Sequence, residues 1–277
     1  MNSRRKFISS VASAFLISIS SRLMATDTIN ESEHKTHDMS KMPENWTKNE
    51  QIAMLVYPGF TALDLIGPQY MFAGLMGATV HIVSETLEPI TSDTNVTIVP
   101  TITYDKVPDE LSVLFIPGGG ESVIKALENK KLMNFVRKKG TKARFITSTC
   151  TGSLILAGAG LLNEYKATSH WVARDALSAG GATPIDERVV IDRNRITGAG
   201  VTAGIDLGLT IVSLLRDDLY AQTLQLLAEY APKPPFNAGT PNTAPKEAVE
   251  MINMMFSEYN SNVQKVIKKA LIFNYFQ

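Results

Sequence analysis

A single cysteine occupies the position of this sequence best suited to nucleophilic chemistry. Cys150 follows residues 143–148, whose apolar and β-branched side chains predict a buried strand, and it precedes a helix predicted at 153–159. A strand-to-helix elbow presents a side chain outward, and the N-terminus of the helix lowers the pKa of a thiol. We therefore interpret Cys150 as a reactive thiolate with a lowered pKa. The alternative is an inert buried thiol, which is the common role of a lone cysteine.

A carboxyl group lies at a comparable position after an earlier strand. Residues 51–57 predict a buried strand, and Asp64 stands at the start of a helix predicted at 63–75. One interpretation makes Asp64 the N-cap of that helix. The other places it against Cys150 in an apolar pocket, where burial and a neighbouring thiolate keep it protonated. A protonated carboxyl at that place can act as a general acid.

Two further segments offer groups for binding a substrate. Gly118, Gly119 and Gly120 follow a strand predicted at 111–116, and backbone N–H groups without side chains can approach a developing anion closely. The alternative is a flexible strand exit. His170 precedes Trp171 at a predicted strand end, where we expect it in the wall of a pocket rather than in proton transfer.

The elements that must position these residues alternate between strand and helix along the chain. Further strands are predicted at 79–84, helices at 132–139, 201–215 and 218–229, and hairpins within 90–104 and 188–197. This alternation predicts a parallel sheet covered on both faces. Functional groups in such a fold lie outside the carboxyl ends of the strands, so Asp64, the glycines and Cys150 are expected to converge.

Composition excludes some classes of partner. The 277 residues include 27 basic and 27 acidic side chains, with 44% hydrophobic and 19% charged residues. This balance favours a globular domain and gives no reason to expect binding to nucleic acid or to an anionic membrane. We expect a small molecule as the partner.

The first residues indicate export. Arg4 and Arg5 precede an apolar run over residues 7–19, and Ala25 offers a small residue for cleavage. Residues 1–25 therefore predict a twin-arginine signal peptide and a periplasmic protein without stable membrane association after cleavage. The alternative, an uncleaved anchor, requires about 20 apolar residues, which is more than this run provides.

A polar segment separates the signal from the domain. Residues 26–49 show no apolar periodicity and predict a linker. The linker contains a group of possible ligands for a soft or borderline metal, although four residues on a polar tail fix no coordination geometry; they are His34, His37, Met39 and Met42. Residues 50–277 are predicted to form one domain with a C-terminal helical extension.

Several motifs resemble the ThiJ/PfpI superfamily between about residues 51 and 245. Its first motif is similar to Tyr57-Pro-Gly-Phe-Thr-Ala-Leu-Asp-Leu-Ile-Gly-Pro68, and its elbow region is similar to Ser148-Thr-Cys-Thr-Gly-Ser-Leu154 and Ala167-Thr-Ser-His-Trp171. The segments Ile196–Leu207 and Tyr230–Gly239 resemble the isonitrile hydratase subgroup. The resemblance implies a flavodoxin-like three-layer α/β sandwich with a mostly parallel sheet, as in class I glutamine amidotransferases, and a homodimer.

The subgroup resemblance also implies a reaction and a site. Its site residues correspond to Cys150, Asp64 and Thr151, with Thr151 holding Asp64 through a hydrogen bond. An isonitrile receives both a nucleophile and a proton on one carbon, so Cys150 attacks, Asp64 protonates, and water releases an N-substituted formamide. The resemblance implies no metal and no organic cofactor.

Other branches of the superfamily fit less well or remain open. Thr151 stands where the protease-like branch has histidine, no late His-x-Glu pair completes an amidotransferase triad, and no helix-turn-helix signature follows Pro232. An enzyme acting on reactive dicarbonyls and an exported redox sensor or protective protein, oxidised at Cys150, remain alternatives. Asp64 favours the hydratase over both, since those branches resemble a glutamate at the acid position.

Overall fold

A seven-stranded sheet forms the centre of the molecule. The computed structural model describes residues 43–274, which belong to one compact unit. Its strands are β1 (Gln51–Leu55), β2 (Thr79–Ser84), β3 (Ile90–Thr91), β4 (Thr97–Ile98), β5 (Ile102–Thr103), β6 (Val113–Ile116), β7 (Phe145–Thr149), β8 (Lys166–Ala167), β9 (Thr183–Pro184), β10 (Val189–Asp192) and β11 (Arg195–Gly198). The central sheet has the order β10-β11-β7-β6-β1-β2-β5, and only the β10–β11 pair is antiparallel. The remaining strands form two small two-stranded sheets, β3–β4 and β8–β9.

Helices form two groups that flank this sheet. They are α1 (Ala62–Ala73), α2 (Glu121–Glu128), α3 (Lys130–Gly140), α4 (Gly152–Gly158), α5 (Ala203–Leu215), α6 (Asp218–Leu227), α7 (Lys246–Met255) and α8 (Tyr259–Asn274), with 3₁₀ helices at Glu44–Trp46 and Trp171–Gly180. Helices α1, α5 and α6 pack in one group, whereas α2, α3, α4, α8 and the 3₁₀ helix Trp171–Gly180 pack in the other. The architecture is the predicted three-layer α/β sandwich with a mostly parallel sheet.

The strand order places a switch point beside β1. The chain first proceeds from β1 to β2 on one side, and it then returns to β6, β7 and β11 on the other side. Loops leaving β1 and β6 therefore diverge to opposite faces of the sheet, and a crevice forms outside their carboxyl ends. The segments carrying Asp64, Gly118–Gly120 and Cys150 follow β1, β6 and β7, so all three lie at this edge.

Apolar strands with a fixed register hold these ends at one level. Every residue of β6 is buried, and Phe115 pairs with Met54 of β1 and with Thr147 of β7. Because both faces of a parallel sheet are covered, β6 is apolar throughout instead of alternating, whereas β7 ends in the buried polar residues Thr147–Thr149. A slip of one residue would turn every side chain to the opposite face, so this register also fixes where each loop begins.

The compact unit begins at Pro43, earlier than the boundary at residue 50 drawn from composition. The Trp46 indole donates to Asp217 over 2.9 Å and packs edge-on against Tyr220 at 4.8 Å between ring centroids. Arg216 donates to the Trp46 carbonyl over 3.0 Å. These partners are about 170 residues away along the chain, so the polar composition of the segment gave no sign of them.

Some elements differ from the sequence prediction. Helix α2 and the 3₁₀ helix Trp171–Gly180 were not predicted, and the end of the predicted 90–104 hairpin is β5, which joins the central sheet in parallel with β2. Short elements of this kind depend on tertiary packing more than on local periodicity.

No helix within residues 43–274 is long and apolar enough to cross a membrane. The predicted signal peptide, the His34 to Met42 metal ligands and most of the predicted linker lie outside the described residues.

Candidate active site

The elbow between β7 and α4 holds Cys150 in a left-handed backbone conformation. Its φ is 57°, which is uncommon for a residue with a side chain. The Cys150 N–H donates to the carbonyls of Gly198 and Ala199 over 3.0 and 2.8 Å, and the Cys150 carbonyl accepts from Ser153 and Ser169 over 3.1 Å each. Four bonds therefore maintain a turn that would otherwise relax, as expected where backbone strain serves a site.

Gly152, two residues after Cys150, must lack a side chain because the end of β6 passes close to it. A Cβ on Gly152 would lie 2.3 Å from the carbonyl oxygen of Ile116 and 2.8 Å from the Pro117 carbonyl carbon. No side chain tolerates such distances. Gly152 therefore allows the first turn of α4 to approach the end of β6. This approach brings Cys150 close to residues 118–120, which we call the glycine loop.

Asp64 lies inside helix α1 and not at its cap. The helix begins at Ala62, its N-cap is Thr61, and the Asp64 N–H donates to the Thr61 carbonyl over 3.1 Å. The N-cap interpretation is therefore wrong. The carboxyl is fully buried; Oδ2 accepts from the Gly118 N–H over 3.0 Å, and Oδ1 has no hydrogen-bond partner among the described residues.

Burial dominates the electrostatics of the Asp64–Cys150 pair. It raises the pKa of Asp64 to about 7, although the Gly118 N–H and the Cys150 thiol both lower that pKa. Burial, followed by the Asp64 carboxylate, also raises the pKa of the Cys150 thiol well above its usual range, against a smaller lowering effect of Thr151. The expected lowering of the Cys150 pKa is therefore wrong. Burial beside a carboxylate therefore outweighs the position of Cys150 before the N-terminus of α4.

Thr151 contacts the glycine loop and not Asp64. Its hydroxyl donates to the Gly119 carbonyl over 2.8 Å and accepts from the Gly119 N–H over 3.0 Å. The hydroxyl thus bonds both polar groups of one residue, and the expected direct bond to Asp64 is absent from the described contacts. Thr151 and Asp64 are instead connected through the backbone, because Gly118 holds the carboxyl and Gly119 holds the hydroxyl.

Two of the three predicted anion-binding glycines are already engaged. The N–H groups of Gly118 and Gly119 bond Asp64 and Thr151, so they are not free to bind a developing anion as predicted. The glycines are required for a different reason, since a Cβ on Gly118 would lie 2.7 Å from both Asp64 Oδ2 and Thr151 Oγ1. Gly120 is exposed, and its N–H has no partner among the described hydrogen bonds.

Two tyrosines complete the buried surroundings of the pair. Tyr57 donates its hydroxyl to the Pro117 carbonyl over 2.9 Å, and Tyr259 of α8 donates to the Gly120 carbonyl over 3.2 Å. Burial raises the pKa of both phenols, and the charges of Cys150 and, for Tyr57, Asp64 raise it further. Sequence reasoning assigned no role to either residue. Tyr57 lies within the first motif, whereas no sequence signal marked Tyr259.

His170 lies in a cleft beside the elbow and not in contact with the pair. It caps the 3₁₀ helix Trp171–Gly180 by accepting from the Val172 N–H at 3.4 Å, and burial lowers its pKa, which favours the neutral ring. The cleft measures about 350 Å³. Ser169, Ala199 and Gly200 also line it, and the first two bond the Cys150 backbone, so the cleft borders the elbow. The predicted position of His170 in a pocket wall agrees with this geometry.

The described residues offer no obvious metal site. Within residues 43–274, no group of three or more His, Cys, Asp or Glu side chains is placed to hold a metal ion. What the arrangement offers instead is a thiol and a carboxyl in direct electrostatic contact, with one carboxyl oxygen unpaired. Such a pair can transfer a single proton between a nucleophile and an acceptor.

Comparison with curated proteins identifies relatives of known name. An isonitrile hydratase of Pseudomonas putida is 44% identical over 200 residues, which cover 72% of this chain and 87% of that protein. A deglycase of Thermococcus kodakarensis is 32% identical over 148 residues, which cover 53% of this chain and 88% of that protein. The likeness to the hydratase thus extends over more of the chain at a higher identity.

Comparison with solved structures and family models agrees with the fold. A ThiJ/PfpI family protein from Pseudomonas syringae is 48% identical with a TM-score of 0.80, and the match covers 88% of this chain and 99% of that one. The model of the DJ-1/PfpI family matches residues 50–214, which include β1, the glycine loop and the elbow. With its sandwich architecture and its elbow cysteine, the chain therefore belongs to the DJ-1/PfpI family.

Proposed function

We propose that this protein is a cysteine-dependent hydratase that converts an isonitrile into an N-substituted formamide. The observation that carries the proposal is the buried Asp64–Cys150 pair, in which Asp64 has a pKa near 7 and an unpaired Oδ1. A pKa near the operating pH suits a group that must both accept and donate a proton within one cycle. The likeness to the Pseudomonas putida isonitrile hydratase supports the same chemistry.

The first half of the reaction uses the proton that the pair already holds. Cys150 transfers its thiol proton to the Asp64 carboxylate, and the resulting thiolate attacks the terminal carbon of the isonitrile. Asp64 then delivers that proton to the same carbon, which gives a thioimidate on Cys150. Because one proton moves from sulfur to carbon through Asp64, the high pKa of Cys150 in the free site is compatible with catalysis.

The second half restores the thiol. Asp64, now a carboxylate, accepts a proton from water as the water oxygen adds to the thioimidate carbon, and it passes this proton to the substrate nitrogen. In the collapse of this intermediate the carbon–sulfur bond breaks, the hydroxyl proton moves through Asp64 to the Cys150 sulfur, and the N-substituted formamide is released. The sum is one isonitrile and one water converted to one formamide, with no oxidant or reductant.

The neighbouring cleft offers space for the substituent on nitrogen. It borders the elbow through Ser169 and Ala199, and His170 and Trp171 form part of its wall. A neutral imidazole and an indole present mostly apolar surface. Arg174, Asp186, Glu187 and Arg188 also line the cleft, so we expect the site to accept substituents that combine a ring with a polar group.

Turnover by purified protein tests the proposal. A panel of isonitriles and dicarbonyls is assayed with wild type, Cys150→Ser, Asp64→Asn and Thr151→Val. We expect formamide production by wild type, nearly complete loss with Cys150→Ser, and a loss of about 10²–10⁴-fold with Asp64→Asn. Thr151→Val should be milder, because it acts through the glycine loop. The double Cys150/Asp64 variant should lose little more than either single variant, since both groups act in one step.

An exposed carboxylate with the same type of hydrogen bond serves as the matched control. Asp105 is exposed and accepts a hydrogen bond from the Thr103 hydroxyl over 2.6 Å, and it is not among the groups that shift the pKa of Asp64. Asp105→Asn should retain most of the turnover. Wild-type turnover by a folded Asp64→Asn protein would refute the acid role of Asp64.

The same panel distinguishes the alternative functions. The likeness to deglycases supports an activity on dicarbonyl-derived substrates, and turnover of dicarbonyls without turnover of isonitriles would establish that alternative. A redox sensor requires a thiol that oxidises readily, whereas burial raises the pKa of Cys150 and lowers its thiolate fraction. Reversible oxidation of Cys150 in a protein inert towards the whole panel would favour the sensor.

We also propose that the protein is exported and acts as a homodimer. Arg4-Arg5 and the apolar run after them support export, with a mature N-terminus near Thr26. Leu63, Ile66 and Tyr70 of α1 support self-association, because these large apolar side chains are exposed. N-terminal sequencing of periplasmic protein and sedimentation of the purified protein test the two points. Recovery of Met1 on a membrane-bound form, or a monomer at micromolar concentration, would contradict them.

A further inference from the structure

Three consecutive glycines after β6 connect three side chains from distant parts of the chain. Gly118 donates to Asp64 of α1, Gly119 bonds the Thr151 hydroxyl at the elbow in both directions, and Gly120 accepts from Tyr259 of α8. Since the glycine loop has no side chains of its own, its position is set by these three anchors and by backbone contacts. In these contacts the Gly118 carbonyl accepts from the Thr61 N–H over 2.9 Å, and the Gly120 carbonyl accepts from the Val123 N–H over 3.1 Å.

The third anchor comes from the C-terminal helix. Tyr259 is the first residue of α8 and is only 4% exposed, and α8 packs against α2, α4 and the 3₁₀ helix Trp171–Gly180. The next residue, Asn260, donates to the carbonyl of Val172 on that 3₁₀ helix. The first turn of α8 therefore connects the glycine loop with the segment that follows His170.

The Tyr259 hydroxyl is also coupled electrostatically to the elbow. Burial and the charge of a Cys150 thiolate raise the pKa of Tyr259, and the Thr151 hydroxyl lowers it. Removing this hydroxyl would leave the Gly120 carbonyl with the Val123 N–H as its donor, so the loop would lose its bond to α8 but keep its bonds to the neighbouring backbone. Without the bond to α8, the Gly118 bond to Asp64 and the Gly119 bonds to Thr151 would be made less of the time.

We propose that Tyr259 is a positioning residue of the site, which acts through the Gly120 carbonyl to hold the glycine loop against Asp64 and Thr151. In the proposed hydratase reaction, on which this inference rests for its activity readout, Tyr259 keeps the acid and the nucleophile in line without contacting the substrate. The C-terminal helix α8 therefore contributes to the function of the site, in addition to packing against α2 and α4.

A hydrogen bond from Gly118 to Asp64 Oδ2 stabilises the carboxylate, so loosening the glycine loop has a defined electrostatic consequence. The pKa of Asp64 should rise when that bond is made less often. The other groups that act on Asp64 are Cys150 at the elbow, Asp93 in the β3–β4 loop and Tyr57 after β1. None of them is altered by Tyr259→Phe, which also retains the ring and so preserves burial.

The test compares Tyr259→Phe with a matched tyrosine in the full chain. Tyr220 is 3% exposed and donates to the Gly74 carbonyl over 2.8 Å, so Tyr220→Phe removes the same type of bond away from the glycine loop. Carbon-13 labelling of aspartate carboxyls allows NMR titration of Asp64, whose resonance is identified by its loss in Asp64→Asn. The midpoint of that titration should rise by roughly 0.3 to 1 in Tyr259→Phe and stay unchanged in Tyr220→Phe.

Turnover supplies a second readout. With an isonitrile substrate, kcat should fall roughly two- to tenfold in Tyr259→Phe with little change in KM, because a positioning bond is lost and no substrate contact is removed. An unchanged Asp64 titration in folded Tyr259→Phe, or an equal change in Tyr220→Phe, would overturn the inference. Wild-type protein inert towards isonitriles would refute the proposed function, yet the Asp64 titration would still decide the role of Tyr259.

Discussion

Asp64 is the residue on which the electrostatics of the site depend. Its side chain is removed from water, one oxygen has a single backbone donor, and the other oxygen is unpaired among the described residues. An ionised carboxylate in such surroundings destabilises the folded protein. The pKa of Asp64 is therefore about 7, and the protonated form is favoured below that pH. The site retains a group that weakens the folded state at neutral pH, as is common at functional positions.

The pH dependence of stability should reveal this cost. The pKa of Asp64 is about 7 in the folded protein against a usual value of 3.8, so its contribution to stability is present below pH 3.8 and is lost as pH rises through 7. Asp64→Asn lacks this loss. We expect its free energy of unfolding, relative to wild type, to increase by roughly 2–4 kcal/mol between pH 4.5 and pH 8 in urea titrations. A constant difference across that range would contradict the raised pKa.

Gly118 offers a steric test of how tightly the same pair is held. A Cβ at this position would lie 2.7 Å from Asp64 Oδ2 and from the backbone nitrogen of Thr151, so Gly118→Ala must displace one of them. We expect at least a 10²-fold loss of turnover, because displacement of a reacting group by about 1 Å has effects of that size. Circular dichroism and urea titration of Gly118→Ala establish that the variant is folded before its turnover is compared with wild type. Full activity of folded Gly118→Ala would contradict the close packing of this site.

At the scale of elements, the longer strands and helices could be predicted from the sequence. The pKa shifts and hydrogen-bond partners of the site residues that these elements carry could not. The predicted buried strands β1, β6 and β7, each followed by the start of a helix or by glycines, indicated that Asp64, the glycine loop and Cys150 lie at one edge. The direction of the Cys150 pKa depends on how deeply the elbow is buried, which no local pattern encodes. The bond partner of Thr151 likewise depends on the path of Gly119, and Tyr259 on the packing of α8.

A buried ion pair connects the start of β1 with the end of α5. Arg216 is buried, pairs with both carboxylate oxygens of Glu50, and donates to the Trp46 and Met76 carbonyls over 3.0 Å each. Removing one partner of such a pair leaves an uncompensated buried charge. The pair therefore fixes the level at which β1 enters the sheet, on the opposite end from the active site.

Arg216→Met should destabilise the protein strongly. We expect a loss of about 3–5 kcal/mol in the free energy of unfolding, because Glu50 would remain buried without its partner. Lys246→Met is the matched control, since Lys246 pairs with Glu250 on the exposed surface of α7 and such pairs contribute little. Chemical denaturation of both variants measures the difference. Equal stability of the two variants would mean that the Arg216–Glu50 pair does not hold β1.

At the scale of the whole molecule, the fold reaches beyond the segment that the family model matches. That match covers residues 50–214, yet the compact unit begins at Pro43, and α8 contributes Tyr259 to the site. The two additions are attached differently. Trp46 docks on Asp217 and Tyr220, whereas α8 packs on the opposite group of helices. The predicted domain of residues 50–277 already included a C-terminal helical extension, whereas the polar composition of residues 43–49 did not reveal their contacts with distant residues.

Trp46→Ala tests whether the N-terminal addition stabilises the fold. The variant loses the indole bond to Asp217 and the edge-on contact with Tyr220. We expect the free energy of unfolding to fall by about 2–4 kcal/mol, somewhat less than for a fully buried aromatic. Phe236→Ala, which removes an aromatic ring that is 77% exposed, should change it by less than about 0.5 kcal/mol. If the Trp46→Ala protein were as stable as wild type, residues 43–49 would not stabilise the fold and would be part of the linker, as the sequence predicted.

The attachment of three side chains to three successive glycines constrains the number of residues in the loop more than their chemistry. Inserting or deleting one residue between Ile116 and Glu121 would shift each carbonyl and N–H along by one place, so Asp64, Thr151 and Tyr259 would all face the wrong group at once. No substitution elsewhere could restore three bonds together. Among related proteins that keep this site, length variation should therefore accumulate in other loops, and the connection between β6 and α2 should keep a constant length.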